Sequence, residues 1–293
     1  MKGLFNYFFT AGLSLNYQIN LNIRPVGKLL GRRVIFSVLM VFFIPAITMA
    51  LNIKTPLKIC DDGSEWPPYT HFERVNGKKT NKIIGFSVEV ISTILKAEGL
   101  QHEIELPPWS RCLKSIREGN DFVMALNASY SEERRRSYWM TNPYYSTTNY
   151  YFYSKATYPE GLNVKKKADL LNYKICGMHG YNYSTYGVAK NQIDQQAHDF
   201  TQLINKLHRK RCDLFLEKYE ILVGFSAIGK NYLSDSNLGS AVVPEMKSTP
   251  FYMLISKKVS YGKELKELIN RGVERMKRNG KMEELMKKYQ LLR

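Results

Sequence analysis

A chain of 293 residues can bury one large or two ordinary hydrophobic cores, which excludes a disulfide-stapled miniprotein. Apolar residues make up 44%, aromatic residues 13% and charged residues 24%, with 19 Gly and 11 Pro, so neither wholesale disorder nor a collagen-like repeat fits. The formal charge of +17 raises nucleic acid as a partner, but no zinc-finger spacing, basic zipper or RNA-binding aromatic signature accompanies it, and no nucleic acid is expected.

Five of the basic residues, Lys2, Arg24, Lys28, Arg32 and Arg33, lie in the first fifty positions, which carry no acid. There KLLGRR precedes the apolar run VIFSVLMVFFIPAITMA, with Pro45 and the small residues Thr48 and Ala50 at its end. A basic, apolar, small-residue order predicts a secretory signal cleaved after Ala50 and residence in the periplasm. The competing reading is a membrane anchor, since Val34 to Leu51 carries no charge and reaches the lower spanning length. Export permits disulfides, and Cys60, Cys112, Cys176 and Cys212 allow three complete pairings without any CxxC redox or zinc motif.

Past Ala50, LKIC (57–60) reads as a strand ending at the polar turn DDGSE. Phe86, Val90, Ile94 and Ala97 recur on one face of a helix that stops near Gly99. HEIEL (102–106) follows as a strand, PWSRCLKSIREG as a helix with Pro108 at its start, and FVMAL from Phe122 as a strand. Alternating strands and helices predict an α/β lobe. The aromatic stretch NYYFYSK (149–155) reads as a path to a second such lobe, built from YKICGMHG, the helix FTQLINKLH with Phe200, Leu203, Ile204 and Leu207 inward, and the strand CDLFL (212–216). FYMLISKK (251–258) carries the chain back. A helix bearing Leu265, Leu268, Ile269, Val273 and Met276 is then separated at Asn279–Gly280 from a last amphipathic segment with Met282, Leu285, Met286 and Tyr289.

Two segments carry candidate chemistry. ALNASYSEERRRSYWMTNPYY (125–145) begins at a strand end, where open α/β sheets face their ligand crevice. Arg134 can grip a planar carboxylate through two parallel hydrogen bonds, with Asn127 and Ser129 beside it; the alternative is that Arg134, Arg135 and Arg136 are one solvated charge run, which is the reading for Arg135 and Arg136. Asp62, Glu65, Trp66 and Tyr69 cluster after the first strand: an aromatic wall, with carboxylates for an amine, or else a cover for the sheet edge. Enzymatic signatures are missing: the five histidines form no HExxH, and there is neither a GxSxG elbow nor a nucleotide-binding glycine loop. No catalytic residue, cofactor or metal is expected.

WPPY (66–69), IIGFSVEVISTILKAEG (83–99), PWSR (108–111), SEERRRSYWMTNPYY (131–145), FYMLISKK and GVERMKRNGKMEELMKKY (272–289) occur in an order that resembles the periplasmic solute-binding proteins of family 3. Ser131, Arg134, Met140, Thr141 and Pro143–Tyr144 match that family's central pattern. The resemblance implies an α/β fold of the type II periplasmic binding class, two-lobed around a central ligand cleft and closing about two hinge crossovers. The implied segments are 1–50 for signal and preceding extension, 51–150 for the first part of lobe 1, 151–247 for lobe 2 and 248–293 for the return to lobe 1. It further implies that Arg134 holds an α-carboxylate with help from Asn127 and Ser129, and that Trp66 packs on the ligand. Gly180, Tyr181 and Asn182 stand where the family has a glycine-threonine turn, and Glu217 lies one place before the family's amine-binding acid, a position held here by Lys218. Within two lobes, Cys176 pairs with Cys212 and Cys60 with Cys112, because a bond across lobes would restrain closure. The implied function is capture of a small polar solute, above all an amino acid, by a monomer serving an inner-membrane ABC permease. A separate sensor that reads the closed form and a lyase on the same fold are the alternatives.

Overall fold

The computed structural model describes Ile53 and residues 55–292. The expected signal and extension, 1–50, lie outside the described residues, and no helix among the described ones is long and apolar enough to cross a membrane.

The chain begins with β1 (Leu57–Cys60), a hairpin of β2 (His71–Val75) and β3 (Lys78–Ile84), α1 (Phe86–Ala97), β4 (His102–Glu105), α2 (Trp109–Glu118) and β5 (Met124–Ser129). After α3 (Glu132–Ser137), β6 (Tyr138–Met140) and β7 (Tyr145–Thr147), it enters a second sheet through β8 (Asn149–Ser154), β9 (Ile175–Met178), β10 (Ile193–Ala197), α4 (Phe200–His208), β11 (Leu214–Lys218), α5 (Tyr219–Gly224) and β12 (Leu238–Val242). It returns as β13 (Thr249–Ser256) and ends in α6 (Gly262–Arg278) and α7 (Lys281–Lys288).

The first sheet runs β4-β1-β5-β13-β6, with β7 also on β13; β1, β4 and β5 are parallel, and β13 is antiparallel to its neighbours. The second runs β10-β9-β11-β8-β12, parallel through β9 and antiparallel at β8. The helices form where the apolar period places them. All four expected inward residues of α4 are buried, and the Asp199 side chain caps its start by accepting from Gln202 N at 2.7 Å. The expected stripe of α6 is buried as well, with Gly272 so close to Ile94 that a Cβ there would stand 2.6 Å from its side chain.

Three sequence expectations shift. The strands expected at 122–126 and 212–216 lie at β5 and β11, because each runs on into polar residues, Asn127 and Ser129 in one and Glu217 and Lys218 in the other, that are buried nonetheless. NYYFYSK is a full member of the second sheet rather than only a path to it: Asn149 already pairs with Lys218. The β2–β3 hairpin was not expected, although its turn residues Asn76 (φ 51°) and Gly77 (φ 74°) are the pair that a tight hairpin favours.

Both passages between the sheets are tied. The Glu220 carboxylate accepts from Thr148 N (3.0 Å) and Thr148 Oγ1 (2.8 Å). Asn149 donates to Lys247 O at 2.9 Å and accepts from Thr249 Oγ1 at 2.8 Å, joining the outgoing segment to the returning one. The cysteines pair as Cys60–Cys112 and Cys176–Cys212, with Cα separations of 5.8 and 5.7 Å.

Candidate functional site

The ends of β1, β5 and β11 meet the loop after β9 around one cavity, lined by Asp61, Asp62, Trp66, Trp109, Asn127, Ser129, Arg134, Tyr181, Asn182, Tyr183, Tyr186, Leu216, Glu217, Lys218 and Phe251. Its volume, counted as space open to the centre of a water molecule, is about 40 Å³. Polar strand ends converge here because the parallel strands of each sheet finish on the same side, where their last residues have no further ladder to join.

Arg134 is delivered by α3. Ser131 caps that helix by accepting from Arg134 N at 3.1 Å, and the Arg134 Nη1 donates to Ser129 O (2.9 Å) and Ser129 Oγ (3.1 Å). The guanidinium lies 5.6 Å from the Trp109 ring, and Arg134 as a residue is 7% exposed. Burial lowers its pKa to about 10, which still leaves it charged at neutral pH. Arg135 and Arg136, by contrast, are exposed and bonded to Glu132, as a solvated run should be.

Four further ionisable groups share the wall. Asp61 accepts from Asp62 N at 2.9 Å and from Asn127 Nδ2, and burial pushes its pKa up to about 7. Asp62 accepts from Ser64 N at 2.9 Å and from the Tyr181 hydroxyl at 2.5 Å, with its pKa also raised by burial. Glu217 accepts from Lys218 N at 2.7 Å through Oε1, whereas its buried Oε2 has no hydrogen-bond partner; burial raises its pKa. Lys218, whose pKa burial lowers, donates to Asn149 Oδ1 and to the Tyr186 hydroxyl, the latter at 3.0 Å. Among the described residues none of these five groups, Arg134 included, has an ion-pair partner within 4.0 Å. Arg134 is thus a buried cation without a carboxylate, and the carboxyls beside it, held toward their neutral form by burial, ionise most readily when a cation comes to them. No cluster of three metal-ligating side chains occurs among the described residues.

Of the residues expected at a ligand, Asp62, Trp66, Asn127, Ser129, Arg134, Tyr181, Asn182 and Glu217 are on this wall, and two are not. Glu65, at φ 67°, turns to the base of the hairpin, where Arg74 Nη1 and Nη2 clamp its carboxylate at 2.5 and 2.7 Å and Phe72 N donates at 2.9 Å. That bidentate pair holds the Glu65 carboxyl below its usual range. Tyr69 stacks on Tyr145, ring centroids 4.0 Å apart, inside the core.

Asn127 lines the cavity but has little left to offer. Its Oδ1 accepts from Ser87 Oγ (2.6 Å), the Tyr144 hydroxyl (2.8 Å) and the Tyr145 hydroxyl (2.9 Å), and its Nδ2 donates to Asp61 and to Thr70 Oγ1 (2.7 Å). It stands at φ 52° where Leu126 and Asn127 face the single residue Met253, a bulge that turns this side chain inward. Asn127 thus holds the Asp61 carboxyl in place at the wall. The wall residues that sequence reading missed are Asp61, Trp109, Tyr183, Tyr186, Leu216, Lys218 and Phe251. Lys218 carried a signal, a lysine at the end of an apolar strand beside Glu217.

Residues 57–291 match the model of the bacterial extracellular solute-binding proteins, family 3. The chain is 24% identical over 222 residues to a probable histidine-binding protein of Campylobacter jejuni, covering 75% of this chain and 82% of that protein. It is 20% identical over 216 residues to the probable amino-acid-binding protein YxeM of Bacillus subtilis, covering 72% and 78%. Its fold is similar to the crystal structure of the substrate-binding protein of an amino acid ABC transporter, with a TM-score of 0.62 at 18% identity over 80% of this chain and 99% of that one. A family match spanning nearly all the described residues, on an α/β periplasmic-binding-like fold with its wall at the strand ends, means that this chain belongs to the extracellular solute-binding proteins of family 3.

Proposed function

We propose that this protein captures a small zwitterionic solute, an amino acid, outside the cytoplasm and presents it to an ABC-type permease, without chemical turnover. The observation that carries this reading is the pair of buried, unpartnered groups around one cavity: among the described residues, an Arg134 guanidinium with no carboxylate within 4.0 Å and a Glu217 Oε2 with no donor, whose carboxyl an incoming cation would ionise. A free amino acid brings the carboxylate for the first and the ammonium for the second, and six aromatic rings (Trp66, Trp109, Tyr181, Tyr183, Tyr186, Phe251) enclose what lies between. Closure about Thr148 and the 243–248 segment brings the two sheets together on the solute. The contacts of Tyr181 with Asp62, Ser64 Oγ with His198 O (2.8 Å) and Lys190 with Glu133 (3.1 Å) join the two halves in that arrangement. The relatives' names, histidine-binding and amino-acid-binding, support the same solute class.

The test is calorimetric titration with the twenty amino acids, polyamines and small organic acids, followed by Arg134→Ala on the best ligand. Loss of a charged hydrogen-bond partner should cost about 1.5–3 kcal/mol, roughly 10- to 150-fold in affinity. Tight binding that R134A leaves unchanged, or turnover of the ligand, would overturn this reading. Protein recovered from the periplasm should begin at Leu51 or an immediate neighbour; an uncleaved chain held in the membrane would refute the export step.

A further inference from the structure

Arg134, Tyr181, Asn182 and Tyr183 line two spaces. The inner cavity of about 40 Å³ has room for roughly three waters, since each needs about 10–15 Å³ on this measure. That is far below the roughly 300–1,000 Å³ of ordinary ligand sites. It matches the head of an amino acid, whose ammonium, α-carbon and carboxylate are a handful of heavy atoms, and leaves little for a side chain. The second space, bordered by the same four residues, is a crevice of about 670 Å³.

Of the four shared residues, Asn182 has the most replaceable hold. Its Nδ2 bridges the two halves, donating to Ser129 Oγ at 3.2 Å and Tyr130 O at 2.7 Å, while its Oδ1 accepts from Ser184 N (3.1 Å) and Ser184 Oγ (2.7 Å). These are neutral hydrogen bonds to a half-buried amide, each worth only about 1 kcal/mol net, so the amide can be displaced by a ligand that replaces them.

The crevice is lined by the cations Arg117, Arg134 and Lys190 and by the carboxylates of Glu132 and Glu133. Its two carboxylates are committed, Glu133 to Lys190 at 3.1 Å and Glu132 to Arg135 at 3.0 Å. Arg117, exposed on α2, reaches the Tyr138 hydroxyl and lies near enough to Glu133 to help lower that carboxyl's pKa, but it has no carboxylate within 4.0 Å among the described residues, so its fork keeps donors for one more.

We propose that the solute is bipartite: an α-amino-acid head in the inner cavity, and a side chain lengthened through an amide or secondary amine that passes Asn182 and ends in a carboxylate near Arg117. This rests on the amino-acid reading above and names the class within it. The test compares L-glutamine with γ-glutamylglycine, which keeps the same free head and adds an amide-linked carboxylate, by calorimetry on the full mature protein. γ-Glutamylglycine should bind about tenfold more tightly or better, the value of one charge-assisted hydrogen bond, and Arg117→Ala should bring the two ligands to nearly equal affinity. Glutamine binding as tightly as the longer ligand, or an advantage that survives R117A, would overturn the inference. In that event an R134A-sensitive affinity for glutamine or another amino acid leaves the amino-acid reading standing. If no amino acid binds at all, both fall.

Discussion

At the scale of residues, the site is a set of carboxyl groups held against their preference for water. Asp61 is the clearest, with a pKa moved from 3.8 to about 7 because burial outweighs its hydrogen bonds. A carboxyl whose folded pKa lies above its unfolded value is bound more tightly by the folded state in its protonated form. Its stabilisation is therefore full below the unfolded pKa and is lost as pH rises toward the folded one. Between about pH 4 and pH 7 the ligand-free protein should lose stability, by about 4 kcal/mol from Asp61 alone, and Asp62 and Glu217 act with the same sign. Asp61→Asn keeps an acceptor for Asn127 and removes the titration. Urea unfolding at pH 5 and pH 7.5 should show a marked drop for wild type and a smaller one for D61N; equal drops would refute the assignment.

At the scale of elements, the wall is held by what lies just behind it. Cys60 ends β1 and immediately precedes Asp61 and Asp62, and Cys112 sits one turn into α2, whose first residue is Trp109. The bond spans 52 residues, and the chain-entropy account gives about 4 kcal/mol for a loop of that size. C60A/C112A should lower the thermal midpoint followed by circular dichroism and weaken solute binding, because β1 and α2 are then free to drift apart. An unchanged midpoint would show that packing alone holds them. The elements themselves were largely legible: α1, α4 and α6 carry an apolar period strong enough to fix the buried face. The strand ends were not, because hydrophobic windows stop at Asn127 and Glu217, the points where a strand leaves the core and becomes the site.

At the scale of the whole molecule, α5 meets the turn after Trp66 at a glycine, and the proposed closure depends on that contact. A Cβ on Gly224 of α5 would stand 2.4 Å from the Pro67 carbonyl oxygen, with rigid backbone on that side and no flexible side chain to yield. Gly224→Ala should hinder the closed arrangement while a helix position tolerates alanine well, so solute affinity should fall by roughly 5- to 150-fold, the effect of about 1–3 kcal/mol of overpacking. Calorimetry with the best ligand checks it, and unaltered affinity would show that α5 and the Pro67 turn do not set the closed form. The sequence by itself determined the alternation of strands and helices and the inward faces of those helices, while resemblance to a family's central motif singled out Arg134 from its charge run. Each rests on local spacing that a period or a short motif displays. Only the tertiary structure decided that Glu65 turns to Arg74 while Glu217 keeps an unpartnered oxygen, that Asn127 is saturated by Ser87, Tyr144, Tyr145, Thr70 and Asp61, and that Lys218 shares the wall with Arg134. The reason is physical: whether a polar side chain is available to a ligand depends on which other polar groups reach it, and those partners come from distant parts of the chain whose meeting no local pattern records.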